Sequence, residues 1–136
     1  MSKPARVGVF LFNGFQEMEF WYPVLRLREV GVDVVVIGVD GADAASSVLG
    51  YPVVPDVAMA DTRPGDYAVL IVPGGNVKAL AESASFKAFL RDADTARVRI
   101  AAASQATSLV PSGAALARTT DDVPAWTRSL LEEIHA

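Results

Sequence analysis

Four short apolar runs, separated by segments with helical periodicity, constrain the fold of this chain more than any other feature. They cover residues 6–12, 32–38, 67–72 and 98–103 and consist mainly of Val, Ile, Leu, Phe and Ala. Runs this short and this uniformly apolar are typical of strands that are buried on both faces of a sheet. Their alternation with helices predicts an α/β fold, an open parallel sheet with helices on both faces.

The segments between the runs carry signals for helix ends. A first helix is predicted over residues 16–30, with a kink at Pro23 and with Gly31 suited to its C-terminal end. A later helix is predicted to begin at a serine cap, either Ser83 or Ser85, and its apolar stripe consists of Phe86, Phe89 and Leu90.

The remaining segments are predicted from their turn and breaker residues. Residues 40–47 indicate a loop, and residues 51–55 allow at most a short edge strand because their two prolines lack an N–H donor. Residues 105–109 are predicted to start a helix, and residues 121–124 (Asp-Asp-Val-Pro) are predicted to open the last one.

Composition excludes several classes of function. The net charge of −4 and the absence of a basic stripe argue against nucleic-acid binding, and Arg26 and Arg28 are interpreted as a solvated helix face. No apolar run reaches the roughly 18 residues of a membrane span. The chain has no cysteine, and its Asp, Glu and His residues do not cluster at ligand spacing, so no metal site and no cofactor is expected. Residues 1–6 do not begin a signal peptide, which favours a cytoplasmic location.

Candidate functional residues follow the predicted strands. The loops over residues 12–19, 73–76 and 103–106 are expected to meet at the carboxyl edge of the sheet, where pockets form. Ser104 comes directly after a strand and before a predicted helix, a corner that directs a side chain into a pocket. Because the chain lacks cysteine, the chemistry at this corner cannot depend on a thiolate.

The loops also provide donors for a ligand. The backbone N–H groups near Gly74 and Gly75 and at Gln105 are candidates for stabilising an oxyanion, and Asn76 completes the predicted ligand-binding set. Neither a G-x-G-x-x-G nor a Walker A motif occurs, so nucleotide binding has no support.

Ser104 has two interpretations that the residues alone leave open. A hydroxyl becomes a nucleophile only when a base removes its proton. The only histidine, His135, is the penultimate residue and is expected to be solvated. The neighbours Ala102 and Ala106 are not the glycines of a G-x-S-x-G elbow. Ser104 is therefore either a polar residue on a tight turn or a catalytic group.

Glu19 is the acid–base candidate. It is expected near the start of the first helix and beside a strand end, among Met18, Phe20 and Trp21. An apolar setting of this kind suits a general acid or base. The alternative is a first-turn glutamate that the helix dipole favours, a description that fits Glu17 better.

Taken in order, these segments resemble the ThiJ/PfpI superfamily, the class I glutamine-amidotransferase-like group that includes protein deglycases, glyoxalases and intracellular proteases. Residues 14–31, beginning G-F-Q-E-M-E-F-W-Y-P, resemble the first helix of the PfpI branch, and Glu19 then matches the family's pocket glutamate. Residues 67–75 are similar to the D-Y-D-A-L-I-I-P-G-G strand and loop, and residues 102–106 occupy the A-I-C-H-G elbow. The resemblance implies a flavodoxin-like three-layer sandwich in a single domain over residues 1–136.

The chain departs from the family pattern at its reactive corner. Ser104, Gln105 and Ala106 stand where the family has cysteine, histidine and glycine. Residues 112–119 resemble the segment A-G-x-x-x-G-R-x-x-T, and residues 121–126 then resemble the closing D-L-P-A-F helix. The family has further strands, and often a catalytic histidine, between these two segments. The chain is therefore expected to be shortened toward its C-terminus.

These departures imply a degenerate domain. It would keep a small-molecule-sized pocket at Glu19 and Ser104 without the family's cysteine chemistry, because a hydroxyl holds its proton far more tightly than a thiol. The alternative is a hydrolase or lyase for a small carbonyl, amide or isocyanide-type substrate. In that enzyme Glu19 is the general acid/base, and Ser104 is the nucleophile or positions water.

The expected partners are a small molecule and further copies of the chain, a dimer first of all, with no nucleic acid and no membrane. The resemblance implies a homo-oligomer, since family members commonly form one. A shortened chain would also expose apolar surface, which a second subunit could cover while supplying the absent segment.

Overall fold

The computed structural model describes residues 5–135. Its strands in chain order are β1 (Arg6–Leu11), β2 (Asp33–Gly38), β3 (Ala45–Ser46), β4 (Pro52–Val53), β5 (Val57–Ala58), β6 (Val69–Val72), β7 (Arg99–Ala103) and β8 (Ala115–Ala117). Six of them form one sheet in the order β5-β2-β1-β6-β7-β8, and every neighbouring pair is parallel. This confirms the predicted parallel α/β sheet.

Four α-helices cover the sheet, namely α1 (Glu17–Glu29), α2 (Lys78–Glu82), α3 (Ala84–Thr95) and α4 (Val123–Ile134). On one face α1 packs against α4. The chain leaves β1 toward one edge through α1 and leaves β6 toward the other edge through α3, so right-handed crossovers place α3 on the opposite face. The ring of Phe10 on β1 meets Phe86 and Phe89 of α3 edge-on, with centroids 5.1 and 5.6 Å apart.

Gly8 allows the strands beside β1 to pack their large side chains across it. A Cβ atom at Gly8 would lie 2.6 Å from Ile37 Cδ1 on β2 and 2.8 Å from Leu70 Cδ2 on β6. The rest of β1 is buried after Arg6. The central strand is thus fixed from both sides, and its carboxyl end is a rigid platform for the loop that follows.

The ends of α1 follow the sequence signals. The side chain of Gln16 caps the helix by accepting a hydrogen bond from Glu19 N–H at 2.7 Å. Gly31 follows the helix with a φ of 86°, in the left-handed region that suits glycine. The helix is continuous through Pro23, which has no N–H to donate to the Glu19 carbonyl four residues earlier.

The edges of the sheet differ from the prediction. Residues 40–47, predicted as a loop, include β3. Residues 51–55 form the two-residue strand β4, within the short strand that they were predicted to allow, but it pairs with β3 in an antiparallel hairpin outside the main sheet. The strands at the two edges, β5 and β8, were not predicted. β5 has two residues and β8 has three, which is too few for a hydrophobic pattern to be recognised in the sequence.

The predicted helix after β7 is also different, because residues Ser104–Leu109 form a 3-10 helix rather than an α-helix. The hydroxyl groups of Thr107 and Ser108 donate to the carbonyls of Ser104 and Gln105, each three residues back. Such bonds compete with regular helix formation. We call this segment the elbow turn.

Some expectations involve residues 1–4, which lie outside the described part of the chain, and the interpretation of residues 1–6 as lacking a secretion signal rests largely on them. Within residues 5–135, no helix combines the length and the apolar character that crossing a bilayer requires.

Candidate functional site

Ser104 is held in an unusual backbone conformation. Its φ is 48°, in the left-handed region that costs a non-glycine residue roughly 1–2 kcal/mol. The residues around it, Ala102, Ala103 and Ala106, are fully buried, so packing on both sides of the corner maintains this geometry. The predicted strand-to-helix corner is therefore a strained elbow. Strain of this kind is concentrated at functional sites.

Glu19 is the central group of the site. Only 1% of its surface is exposed. Its Oε2 atom accepts hydrogen bonds from the Ser104 hydroxyl at 2.5 Å and from the Thr120 hydroxyl at 2.9 Å. Its Oε1 atom accepts a hydrogen bond from Gly74 N–H at 2.8 Å. Three donors, rather than a cation, therefore balance this buried side chain in the described part of the chain.

Thr120 is a site residue that sequence reasoning missed. It lies in a short 3-10 turn, Thr120–Asp122, between β8 and α4. Asp122 fixes this turn, since its Oδ2 atom accepts from both the N–H and the hydroxyl of Thr119 at 3.2 Å. This is a capping box whose N-cap is Thr119 rather than the predicted Asp121 or Asp122, and Asp122, which precedes α4, makes no side-chain cap hydrogen bond to that helix. The capping box holds Thr120 where its hydroxyl reaches Glu19.

The two glycine N–H groups that were predicted to bind an oxyanion both have partners within the chain. Gly74 N–H donates to Glu19, and Gly75 N–H donates to the side-chain oxygen of Gln105 at 2.9 Å. Gln105 was predicted to contribute its backbone N–H as a donor. Its side chain instead acts as an acceptor and occupies the position at Gly75 that a ligand oxygen would need.

Gly74 is required at its position. A Cβ atom there would lie 2.5 Å from Glu19 Oε1, 2.7 Å from Gln105 Oε1 and 2.8 Å from the Ala103 carbonyl oxygen. The Gly74 carbonyl accepts from Gln16 N–H at 2.9 Å, which ties this loop to the start of α1. Only a residue without a side chain lets these three oxygen atoms converge.

Asn76 and His135 lie apart from the hydrogen bonds of Glu19. Asn76 N–H donates to the Gly14 carbonyl at 2.9 Å, and its Oδ1 atom accepts from Lys78 N–H at the start of α2. His135 is exposed and follows the C-terminal end of α4. The structure thus brings together Glu19, Ser104, both glycines and Gln105, and it gives Asn76 a role in shaping the loop.

Glu17, the other glutamate of the first turn, has a different role. Its Oε2 atom accepts from Leu49 N–H at 3.0 Å, which connects α1 to the β3–β4 hairpin. The Ser47 hydroxyl lowers the pKa of the Glu17 carboxyl below its ordinary value, because a donated hydrogen bond favours the ionised form. Glu17 therefore anchors the hairpin, whereas Glu19 organises the interior of the site.

The serine turn after β7, held against a buried glutamate and a pair of glycines, lies at the carboxyl edge of a parallel sheet of the flavodoxin-like α/β type. The family model described as the DJ-1/PfpI family matches residues 5–134. The chain belongs to this family.

Sequence relatives match part of the chain. A protein from Archaeoglobus fulgidus is 39% identical over 70 residues, which cover 52% of this chain and 41% of that protein. A protein from Staphylococcus aureus strain Mu50 is 34% identical over 70 residues with the same coverage. The matched segment thus spans less than half the length of these curated relatives.

Solved structures match nearly the whole chain. The crystal structure of Drosophila melanogaster DJ-1beta has a TM-score of 0.86 at 22% identity, covering 97% of this chain and 91% of that one. A ThiJ/PfpI family protein from Pseudomonas syringae has a TM-score of 0.83 at 16% identity, covering 97% and 69%. At these identities the likeness establishes the fold, which agrees with the flavodoxin-like expectation.

Proposed function

We propose that this domain is a DJ-1/PfpI-family binding module that does not perform the cysteine-dependent catalysis of its family. The observation that carries the proposal is the occupation of both glycine N–H groups by oxygen atoms of Glu19 and Gln105. Acyl-transfer catalysis needs such donors at the position where the oxyanion develops. In this chain they are already hydrogen-bonded.

The nucleophile supports the same proposal. The Ser104 hydroxyl donates a hydrogen bond to Glu19, and the only histidine of the chain, His135, is exposed beyond α4. Without an imidazole to take the proton and later return it, a serine is a weak nucleophile. The hydrogen bond to Glu19 then orients the side chain and satisfies a buried acceptor.

The module's ligand is a small molecule that carries a carbonyl or carboxylate oxygen. Gln105 is exposed, so its side chain can leave Gly75 N–H without opening the core. A ligand oxygen would then accept from the same N–H group in place of the glutamine oxygen. The proposed ligand position is therefore Gly75 N–H, whose resting partner is a side chain of the protein itself.

We expect the Ser104→Cys variant to show no glyoxalase, deglycase or peptidase turnover beyond that of a thiol placed elsewhere on the surface. With a thiol at position 104, the N–H groups of Gly74 and Gly75 would still be hydrogen-bonded within the protein and could not stabilise an oxyanion. The matched control is Ser112→Cys, at an exposed loop position, because any free thiol reacts with dicarbonyl compounds. Rates of methylglyoxal and peptide turnover measured for both variants and the wild type test this.

A second function, an enzyme with altered chemistry, is favoured by one observation. The chain keeps a strained elbow and a 2.5 Å hydrogen bond from Ser104 to Glu19 although it has no thiol. In that case Glu19 serves as general acid/base, and Ser104 attacks or positions water on a small carbonyl, amide or isocyanide-type substrate. Wild-type turnover that Glu19→Gln abolishes, with the circular dichroism spectrum intact, would establish this function and refute the binding module.

We also propose that the protein forms a homo-oligomer, with a dimer as its basic unit. The β3–β4 hairpin exposes four large apolar side chains within seven residues, Val48, Leu49, Tyr51 and Val54, which we call the hairpin patch. Their exposed fractions range from 57% for Val48 to 74% for Leu49. Contiguous apolar surface of this kind marks an interaction site, and a second copy offers the same self-complementary surface.

Charging the hairpin patch is expected to dissociate the oligomer. Leu49→Asp and Val54→Asp should each shift the molar mass, measured by light scattering at micromolar concentration, from that of a multimer toward 14.4 kDa. The matched control is Leu25→Asp, a 57% exposed leucine on α1 outside the patch. A wild-type protein of 14.4 kDa at all concentrations, or variants that keep the multimer mass, would contradict the proposal.

A further inference from the structure

A cavity lies at the far end of the elbow turn, away from the contacts of Glu19. It has a volume of about 500 Å³ and lies between α2 and α3 on one side and the end of the elbow turn on the other. Leu80, Phe86 and Leu90, which are almost wholly buried, form the floor of the cavity, and the partly exposed Ala81, Leu109 and Val110 line its mouth. The volume is within the range of small-molecule sites, about 300–1,000 Å³.

Two cations lie beside this apolar surface. Lys87 and Arg91 both line the cavity from α3 and are exposed. Residues four apart lie on the same face of a helix, so the two positive charges are neighbours. The third charged group of the lining, Asp94, follows Arg91 toward the C-terminal end of α3. It disfavours an anion at that end and leaves Lys87 and Arg91 as the anion-binding part.

An apolar cavity with a paired cationic rim selects an amphipathic anion. We propose that this cavity, which we call the α3 cavity, binds a monocarboxylate with an extended apolar body, such as a medium-chain fatty acid. The carboxylate contacts Lys87 and Arg91, and the hydrocarbon chain covers the partly exposed Ala81, Leu109 and Val110. A guanidinium can pair with a carboxylate through two parallel hydrogen bonds, whereas a neutral alcohol lacks the charge for this interaction.

The shape of the site predicts how affinity depends on the ligand. Burial of each methylene group favours binding by about fourfold in Kd, so octanoate, which is two methylene groups shorter, should bind roughly 15-fold more weakly than decanoate. Decanol keeps the chain and loses the charge. We expect it to bind about three- to tenfold more weakly than decanoate, because ion pairs at an exposed rim contribute modestly.

The experiment titrates decanoate, below its micelle-forming concentration, into the 15N-labelled full chain and follows amide chemical shifts. The expected result is saturable shifts confined to residues 80–94 and 108–111, with a weaker Kd for octanoate and for decanol. The double variant Lys87→Gln/Arg91→Gln should reduce the affinity for decanoate about three- to tenfold and leave the affinity for decanol unchanged. The control Arg128→Gln, an exposed cation on α4, should leave both affinities unchanged.

Several results would overturn the proposal. They are an absence of saturable shifts up to millimolar decanoate, shifts centred on the hairpin patch, and equal affinities for decanoate in the double variant and the wild type. A second variant, Ala81→Phe, places a ring at the cavity wall without touching either cation. It should weaken decanoate and decanol alike, and unchanged binding of both would show that the ligand lies elsewhere.

Discussion

Replacing Glu19 by Gln is expected to lower the free energy of unfolding by about 1–3 kcal/mol. The carboxylate accepts from Gly74 N–H, the Ser104 hydroxyl and the Thr120 hydroxyl, and it is 1% exposed. The Gln amide keeps one oxygen and presents an NH₂ group where the other oxygen was. The Ser104 and Thr120 hydroxyls can then only accept from this NH₂ group, so each hydroxyl proton loses the carboxylate oxygen to which it was donated.

Urea denaturation followed by circular dichroism measures this loss. The matched control is Glu29→Gln at the other end of α1, where the side chain is 72% exposed and is 3.8 Å from Arg26. A surface change of this kind should stay within about 0.5 kcal/mol of the wild type. A Glu19 variant as stable as the Glu29 variant would mean that the three hydrogen bonds do not hold the site together.

Gly74→Ala is expected to disrupt the site and to cost about 1–3 kcal/mol or more. The new methyl group would lie 2.5 Å from Glu19 Oε1 and 2.8 Å from the Ala103 carbonyl oxygen, and the latter belongs to the backbone of β7 and cannot rotate away. The Gly74 loop or the Glu19 side chain must therefore move. Movement of the loop withdraws Gly75 N–H from Gln105, and movement of the side chain separates Glu19 from Ser104.

The matched control is Gly65→Ala, because a Cβ atom at Gly65 meets no atom within 4 Å and its φ is not in the left-handed region. That substitution should be neutral or slightly stabilising, since alanine reduces the conformational freedom of the unfolded chain. Denaturation and the amide shifts of Ser104 and Gln105 distinguish the two variants. If Gly74→Ala behaved like Gly65→Ala, the convergence of oxygen atoms at Gly74 would not constrain the fold.

The central part of the fold could be predicted because its signals are strong and local. β1, β2, β6 and β7 are runs of four to six residues that are apolar apart from a charged first residue in β1, β2 and β7, and the crossover rule then fixes the side on which each helix packs. The edge strands β5 and β8 exist only because the neighbouring strands β2 and β7 offer backbone hydrogen-bonding groups. Pairing of this kind depends on tertiary structure and leaves no pattern in two or three residues.

The site could be predicted in part for a related reason. Glu19, Ser104, Gly74 and Gly75 each follow or flank a strong strand, so the convergence of strand ends indicated them. Thr120 follows β8. Since that strand was not predicted, the sequence did not indicate that the Thr120 hydroxyl lies at the same edge of the sheet. The acceptor role of the Gln105 side chain was missed because a sequence does not show which side-chain rotamer lies over Gly75.

The partners of Glu19 lie far away along the chain, with separations of 55 residues for Gly74, 85 for Ser104 and 101 for Thr120. Closing long loops delays contacts of this kind relative to local helix formation. A carboxylate withdrawn from water before these donors arrive would remain uncompensated. The amino-terminal turn of α1 should therefore stay hydrated while the strands assemble, and it should dock only when the turn before α4 closes over it. The burial of one acidic side chain in this way sets the order of events in folding.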